Sequence, residues 1–347
     1  MKTFEFSNFD YNGWVKHGHD IVNDPDIKRN LFDRGYDVVE NFLNQDLLDE
    51  FMAFYNENHS VETNDGGFFV SIYSKDLGYR RKVHDFMLER LKDKFDGIFS
   101  DYKHTCLNYA VKYPGKRGQI FIHQDMGQVD ETQHAQVGIW IPLVDVSIEN
   151  GTMGILPYTH FTIPPHRSLY HDLPYSKLYS EVFDYMQPLE LKAGDLFLFD
   201  IRLLHNSFVN QTENPRVAIA SSVVPQSASF CMAYREKEAP EEDYELLELD
   251  DDFYLSFADF KSEKVSKPGK STGNFVKIRE AFVSKEEFAQ FCQYYGLEKT
   301  GVERFKSEAM VNPIQEPNHF EDKKEPELVE QPPKLNLFQR IKQSLLN

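Results

Sequence analysis

The spacing of apolar residues changes near residue 106, and this change separates a helical part of the chain from a β-rich part. Before it, Asn44-Gln45-Asp46 is a typical helix start, and apolar residues then recur every three or four positions. Residues 82–95 have a similar spacing, and residues 35–39 resemble a short strand. The pattern predicts helices that precede and flank a β-rich core.

From Cys106 onward the apolar residues form short runs that Gly, Pro, Asn and Asp separate. The runs are CLNYAVKY, QIFIH, AQVGIWIPLVDV, GTMGILP, LFLFD, SFVN and RVAIASSVV. Many short strands within one segment are typical of a β-sandwich or barrel. We therefore predict a mainly β protein with flanking helices.

The carboxy-terminal third has a different texture, and it predicts a helical and irregular extension. A capping-box pattern at Ser284-Lys285-Glu286-Glu287 begins a run that ends near Gly296, which predicts a short helix. Residues 311–334 are rich in Pro, Glu and Lys, as solvated linkers are, and the last residues return to helical spacing. We predict three parts: a β-rich domain with amino-terminal helices (1–235), an acidic, partly helical extension (236–310), and a linker with a terminal helix (311–347).

Charge supports this division and excludes some partners. The 347 residues contain 38 Lys+Arg and 56 Asp+Glu, a net charge of −18. Residues 236–263 contribute 12 acidic residues and 2 lysines, a net of −10, so more than half of the charge lies outside the β-rich domain. A surface this negative repels phosphate backbones and anionic lipid, which argues against nucleic-acid and membrane partners.

Cysteine use and the amino terminus bear on the compartment. Cys106, Cys231 and Cys292 lie far apart and form no CxxC pair, which argues against a disulfide framework and a structural zinc site. Asp10 interrupts the place of a signal core, and no run approaches the roughly 18 apolar residues of a membrane span. We predict a cytoplasmic protein.

The residues that carry chemistry lie in two blocks of the β-rich part. On a strand, side chains two positions apart face the same way, so His123 and Asp125 would converge on one point. His205 follows in a second block, and Arg216 opens the next apolar run. Each residue alone has an ordinary structural explanation. Together, two histidines and a carboxylate are the ligand set of non-haem Fe(II) oxygenases, and a buried arginine nearby would bind a ligand carboxylate.

Several blocks resemble the phytanoyl-CoA dioxygenase family of Fe(II)- and 2-oxoglutarate-dependent oxygenases. They are FDRGYDVVENFLNQDLLDEF, HQD, ENGTMGILPYTHF and GDLFLFDIRLLHNSFVNQTENPRVAIA, and they cover about residues 31–225. The resemblance implies a double-stranded β-helix (a jelly-roll, cupin-like core) within 1–235. One departure is visible, because the family commonly has Gly-Ser where this chain has Tyr158-Thr159.

The resemblance also implies a ligand set and a reaction. His123, Asp125 and His205 would be the iron ligands, with Fe(II) as the metal and 2-oxoglutarate and dioxygen as cosubstrates. The implied reaction is hydroxylation of an aliphatic C–H bond of a small molecule, with release of succinate and CO2. Family relatives that halogenate carry a small residue in place of the carboxylate, so Asp125 favours hydroxylation.

Three further residues are implied to bind the cosubstrate. Arg216 would hold the 5-carboxylate of 2-oxoglutarate, and Ser207 would hydrogen-bond the same carboxylate. Asn108, on the strand before the metal pair, would contact the cosubstrate's other end.

Other interpretations stay open on the sequence alone. The protein could be a cupin-type metal enzyme that does not use 2-oxoglutarate, or a non-catalytic relative that binds a partner protein through its carboxy-terminal third. Desaturation or ring closure would leave the same motifs. The aromatic and polar segment 161–187 fits either a lid over the site or a surface loop, and the extension could mediate homo-oligomer or protein contacts.

Overall fold

The computed structural model describes residues 3–7, 9, 11, 19–60, 67–115, 118–167, 173–235, 240, 243–257, 267–278 and 281–306. The helices within these residues are α1 (Pro25–Arg34), α2 (Gln45–Asn58), α3 (Leu77–Asp96), α4 (Tyr179–Phe183), α5 (Phe253–Ser256) and α6 (Lys285–Tyr295). The strands are β1 (Tyr36–Val39), β2 (Phe68–Val70), β3 (Tyr102–His104), β4 (Asn108–Lys112), β5 (Ile120–His123), β6 (Val137–Pro142), β7 (Met153–Leu156), β8 (Gln187–Pro188), β9 (Leu196–Asp200), β10 (Leu204–Ser207), β11 (Arg216–Pro225), β12 (Cys231–Tyr234), β13 (Asp243–Glu248) and β14 (Lys270–Lys277).

Two antiparallel sheets form the core. The larger has the order β1-β9-β6-β11-β4-β2, with β3 also paired to β11, and the smaller has the order β5-β10-β7-β8. From β4 to β7, and again from β8 to β11, successive strands alternate between the two sheets. Strands β7 and β8 pair with each other in the smaller sheet. This is the strand order of a double-stranded β-helix. The predicted jelly-roll core with flanking helices is confirmed.

The amino-terminal helices cover the outer face of the larger sheet. Asn44 caps α2 by accepting a hydrogen bond from the backbone N–H of Leu47, as the sequence predicted. Phe51 of α2 and Met87 of α3 are fully buried against alternate residues of the sheet such as Val111. The strand residues between these face the other sheet, so the helices leave the inner face free for the site.

A third antiparallel sheet, β12-β13-β14, lies where the sequence predicted a partly helical extension. The acidic composition hid a period of two, because Tyr244 and Leu246 alternate with charged residues and pack with Ala233 of β12. The predicted helix is also present: α6 has a full capping box at Ser284 and ends at Gly296. The predicted division at residue 235 therefore falls between two paired strands.

Three other expectations can be placed. The linker and terminal helix predicted over 311–347 lie outside the described residues. Cys106, Cys231 and Cys292 are buried free thiols. Within the described part of the chain, no helix is both long enough and apolar enough to cross a membrane.

Candidate metal centre

Two histidines face each other across neighbouring strands of the smaller sheet. His123 on β5 and His205 on β10 are directly opposite in the antiparallel register, with ring centroids 4.2 Å apart. Nδ1 of His123 is 2.8 Å from the carbonyl of Phe121, and Nδ1 of His205 is 2.9 Å from the carbonyl of Leu203. These carbonyls accept an N–H, which leaves Nε2 of each ring free to bind a metal.

Asp125 completes the group. Its Oδ1 lies 3.7 Å from Nε2 of His123 and 3.8 Å from Nε2 of His205. The convergence was predicted, but the expected reason was wrong. Strand β5 ends at His123, so Asp125 lies in the following loop. The course of this loop, and not strand alternation, places the carboxylate beside the two imidazoles.

The electrostatics of the group suit a cation. Burial and the neighbouring His205 lower the pKa of His123 to about 4, so its imidazole is neutral and a competent ligand at pH 7. One ligand atom from each of His123, Asp125 and His205 lies within 4.8 Å of the others, and among the described residues no second group of this kind occurs. Two imidazoles and one carboxylate fit a first-row divalent metal with open positions.

A basic pocket lies on the facing sheet. Arg216 on β11 and Lys112 on β4 are register partners and both are buried. The Arg216 guanidinium reaches the carbonyls of Ala110 and Gly151 at 3.3 Å each, and its Nε has no hydrogen-bond partner. Burial lowers the pKa of Arg216 to about 9, and burial followed by the charge of Arg216 lowers that of Lys112. Among the described residues no carboxylate pairs with either cation, so the pocket suits an anion.

Ser207 connects the basic pocket to the metal group. Its Oγ accepts a hydrogen bond from Nζ of Lys112 at 2.6 Å, and its own hydroxyl proton stays free to donate. Ser207 lies two residues after His205 on the same strand, which is about 7 Å along β10. That separation matches a short dicarboxylate with one end at the metal and the other at the cations.

Asn108 lies on the same face of β4 as Lys112. Its amide donates to the carbonyls of Cys106 and Ala220, at 3.0 and 2.8 Å, and its buried Oδ1 has no partner. With both amide hydrogens used, the side chain offers only an acceptor to the site. Its contact with the cosubstrate stays a prediction.

Sequence reasoning missed two residues of this pocket. Lys112 lies four residues after Asn108 and so shares a strand face with it. Trp140 of β6 lies under the Arg216 guanidinium, 5.1 Å from the ring centroid, and its aromatic run could be read only as core. Both roles depend on which strands become neighbours, which the local pattern does not show.

An exposed aromatic side chain from the amino-terminal part interacts with the charge of Asp125. Tyr73 is 53% exposed, yet burial of its hydroxyl and then the charge of Asp125 raise its pKa. Its hydroxyl therefore lies within electrostatic range of Asp125.

The segment 161–187 is more deeply buried than a surface loop. Tyr175 is fully buried and its hydroxyl is 2.7 Å from Oγ1 of Thr162. Val182 and Phe183 of α4 join the same apolar cluster as Phe291 of α6. The described second half of the segment therefore packs into the protein.

Three comparisons with known proteins bear on these observations. A family model described as phytanoyl-CoA dioxygenase matches residues 32–218. "Phytanoyl-CoA dioxygenase" of Arabidopsis thaliana is 24% identical over 252 residues, which cover 58% of this chain and 88% of that protein. "Phytanoyl-CoA dioxygenase 1" of Oryza sativa subsp. japonica is 29% identical over 119 residues, which cover 33% of this chain and only 42% of that protein. Among solved structures, the non-heme alpha ketoglutarate dependent carbocyclase SnoK is similar with a TM-score of 0.44 and 18% identity, over 60% of this chain and 86% of that one.

The family match spans more than half of the chain. It runs from within α1 to within β11, and so includes both sheets of the jelly roll, the His123, Asp125 and His205 group, and Arg216. The protein belongs to the phytanoyl-CoA dioxygenase family of Fe(II)- and 2-oxoglutarate-dependent oxygenases.

Proposed function

We propose that the protein is an Fe(II)- and 2-oxoglutarate-dependent dioxygenase that hydroxylates an aliphatic C–H bond of a small molecule and releases succinate and CO2. One observation carries the proposal. The His123, Asp125 and His205 group lies beside a buried arginine and lysine that have no carboxylate partner among the described residues. A metal and a dicarboxylate would satisfy both features at once.

His123, Asp125 and His205 would hold the iron on one face and leave the opposite positions to ligands. Bound there, Fe(II) would supply the activation of dioxygen. The protein's own part is geometric: carbonyls orient both imidazoles, and the inter-sheet core around His205, such as Phe199 at 5.3 Å between ring centroids, keeps water from the inner side.

The basic pocket would hold the far carboxylate of 2-oxoglutarate. Arg216 and Lys112 supply the charge, and Ser207 can donate its free hydroxyl proton. The far carboxylate would bring one negative charge to two cations that are otherwise buried without counter-charge, and this favours a dicarboxylate over a ligand without a second acid group. Asn108 would contact the cosubstrate's other end through its amide N–H, which would have to leave one of its two backbone carbonyl partners, because every oxygen of 2-oxoglutarate is an acceptor.

The substrate would approach past Tyr73. The retained carboxylate of Asp125 favours hydroxylation over halogenation, and the family name is consistent with a small-molecule acyl substrate. A cytoplasmic location stays a prediction.

The test is turnover of the full chain with Fe(II) and 2-oxoglutarate. We expect a weak visible charge-transfer band when both are added without oxygen, and succinate when oxygen is admitted. Asp125→Ala and His205→Ala should each abolish succinate formation. Asp145→Ala is the matched control, because Asp145 is an exposed carboxylate that pairs with Lys192.

Two outcomes would contradict the proposal. Succinate formation that persists in both variants would place the metal elsewhere. A wild-type protein that binds the metal but neither binds nor consumes 2-oxoglutarate would favour a cupin-type enzyme instead.

A further inference from the structure

A chain of buried charged side chains contacts the loop that carries Asp125 and includes the turn before His205. Arg167 pairs with Glu131 (Nη1 to Oε2, 2.5 Å), and Glu131 in turn lies 4.0 Å from Nε of Arg202 (Oε1). Arg202 holds Asp200 through two contacts of 2.9 and 2.8 Å. Nε2 of His19 lies 3.2 Å from the same carboxylate. None of these side chains is more than 8% exposed.

Both arginines of this chain reach a segment that carries a metal ligand. Nε of Arg167 donates to the main-chain carbonyl of Asp125 at 2.9 Å. Arg202 lies in the turn that leads into His205, and the backbone N–H of Arg202 is itself held by Asp200 at 2.9 Å. Glu131 is the only described carboxylate that contacts both arginines, so it joins the two ligand segments.

Asp125 needs such support more than the histidines do. His123 and His205 lie on paired strands, and a carbonyl orients each ring. Asp125 lies in a loop, its side chain is 43% exposed, and its carboxylate has no contact to a described cationic side chain other than the two histidines. Its position therefore depends on how its backbone is held.

Stability alone does not account for this arrangement. Two arginines and two carboxylates balance in charge, but buried ion pairs are often no more stabilising than apolar residues of the same size. Desolvation raises the pKa of Glu131 despite both arginines, so its burial as an anion is unfavourable by itself. A buried ionic group of this kind can serve to fix a geometry.

We infer that Glu131 is a positioning residue which, through Arg167 and Arg202, fixes the Asp125 loop and the His205 strand in the arrangement that binds the metal. The inference rests on the proposed function, because it takes His123, Asp125 and His205 as the metal ligands. Glu131 touches neither metal nor substrate and acts only through the two arginines.

The experiment measures binding of Co(II) alone to the metal-free full-length protein, by its visible absorption. Glu131→Gln keeps the size of the side chain and removes its charge. We expect its Co(II) affinity to fall by at least about 10-fold, the usual effect of losing a group that orients metal ligands, and the absorption at saturating Co(II) to change in shape.

Asp184→Asn is the matched control. Asp184 is also a buried carboxylate that bridges two cations, Lys299 at 2.9 Å and Lys306, but it lies at the end of α4 among residues of the carboxy-terminal part. The substitution removes a bridging carboxylate away from the metal group and should leave Co(II) affinity within about 2-fold of wild type.

The outcomes separate the inference from the proposed function. If wild type does not bind Co(II), the proposed metal site is wrong. If wild type binds and Glu131→Gln binds equally well, or if Asp184→Asn weakens binding as much, the positioning role is wrong.

Should Glu131→Gln fail to fold, Arg167→Lys decides, because it keeps the charge beside Glu131 but loses the planar fork that also reaches Asp125. Its Co(II) affinity should fall by about 3-fold or more, and an unchanged affinity would overturn the inference.

Discussion

Lys112 is the single residue on which the proposed cosubstrate pocket can be tested most directly. Its buried amine donates to Ser207 and faces Arg216. Lys112→Met keeps the length of the side chain and removes the charge. Because a charge-assisted hydrogen bond contributes about 1.5–3 kcal/mol, we expect KM for 2-oxoglutarate to rise by about 10- to 150-fold. Succinate release at varied 2-oxoglutarate concentration measures this.

Lys103→Met is the control for that substitution. Lys103 pairs with Asp251 at the surface, so its replacement should leave KM for 2-oxoglutarate unchanged. Arg216→Met should have an effect at least as large as Lys112→Met. A wild-type KM in the Lys112 variant would mean that the amine does not contact the cosubstrate.

The residues that sequence reasoning found and missed differ in a physical way. His123, Asp125 and His205 are found because metal ligands need particular side chains at particular spacings, which a linear pattern records. Lys112 and Glu131 act through partners more than 30 residues away in the chain. Their roles exist only once the strand order places those partners side by side, and no local pattern contains that order.

At the scale of elements, helix α6 supports a turn that leads to the metal site. Tyr158, in the turn after β7, has a φ of 70°, a conformation that favours glycine. Its ring stacks on Tyr295 of α6, with centroids 4.2 Å apart and planes 3° from parallel. The next residue, Thr159, accepts a hydrogen bond from the backbone N–H of Leu204, which precedes His205. Tyr158 therefore stands where the family commonly has Gly, and α6 provides the ring, Tyr295, on which it stacks.

A double-mutant cycle between Tyr158 and Tyr295 tests this coupling. Tyr158→Gly relieves about 1–2 kcal/mol of backbone strain but loses the stacking contact, so the free energy of unfolding should change little. In the Tyr295→Ala background the same change should stabilise the protein, with a coupling energy of about 0.5–1.5 kcal/mol. Urea unfolding of the four proteins measures it.

Tyr295→Phe is the control for the cycle, because the Tyr295 hydroxyl also accepts from the backbone N–H of Phe4. It keeps the stacked ring and should show the same coupling with Tyr158 as wild type. A coupling energy near zero would mean that α6 does not support the turn.

Elements were predicted best where their signal is local. The caps at Asn44 and Ser284 marked α2 and α6, because a cap is made by residues three positions apart. Strand β13 was missed because its charged residues obscured the alternation of Tyr244 and Leu246, and β14 was missed because its side chains are mostly exposed and show no buried alternation. Strand β13 pairs with β12, which lies before the predicted boundary, and β14 pairs with β13.

At the scale of the whole molecule, the described part of the acidic segment, residues 243–257, is packed against the jelly roll. Phe253 and Tyr254 of α5 share an apolar cluster with Cys106 and Val129, the latter in the loop that also carries Asp125. The guanidinium of Arg80 on α3 donates to the carbonyl of Tyr254 at 3.2 Å. The acidic segment is therefore not a detached, solvated tail despite its negative charge. Its apolar residues contact the loop that carries Asp125.

Buried neutral histidines should make the whole fold sensitive to acid. Burial lowers the pKa of His104 to about 3 and that of His160 to about 4, against about 6.5 in an unfolded chain. Between pH 6.5 and 4 the unfolded state binds protons that the folded state does not, so the free energy of unfolding falls as pH falls; above pH 6.5 these residues have no such effect. We expect His160→Gln and His104→Gln each to reduce this slope by about 1 kcal/mol per pH unit between pH 6 and 5, and the double variant to reduce it by about twice as much. Urea unfolding of the metal-free protein at several pH values measures the slopes, and slopes equal to that of wild type would show that both imidazoles become protonated in the folded protein.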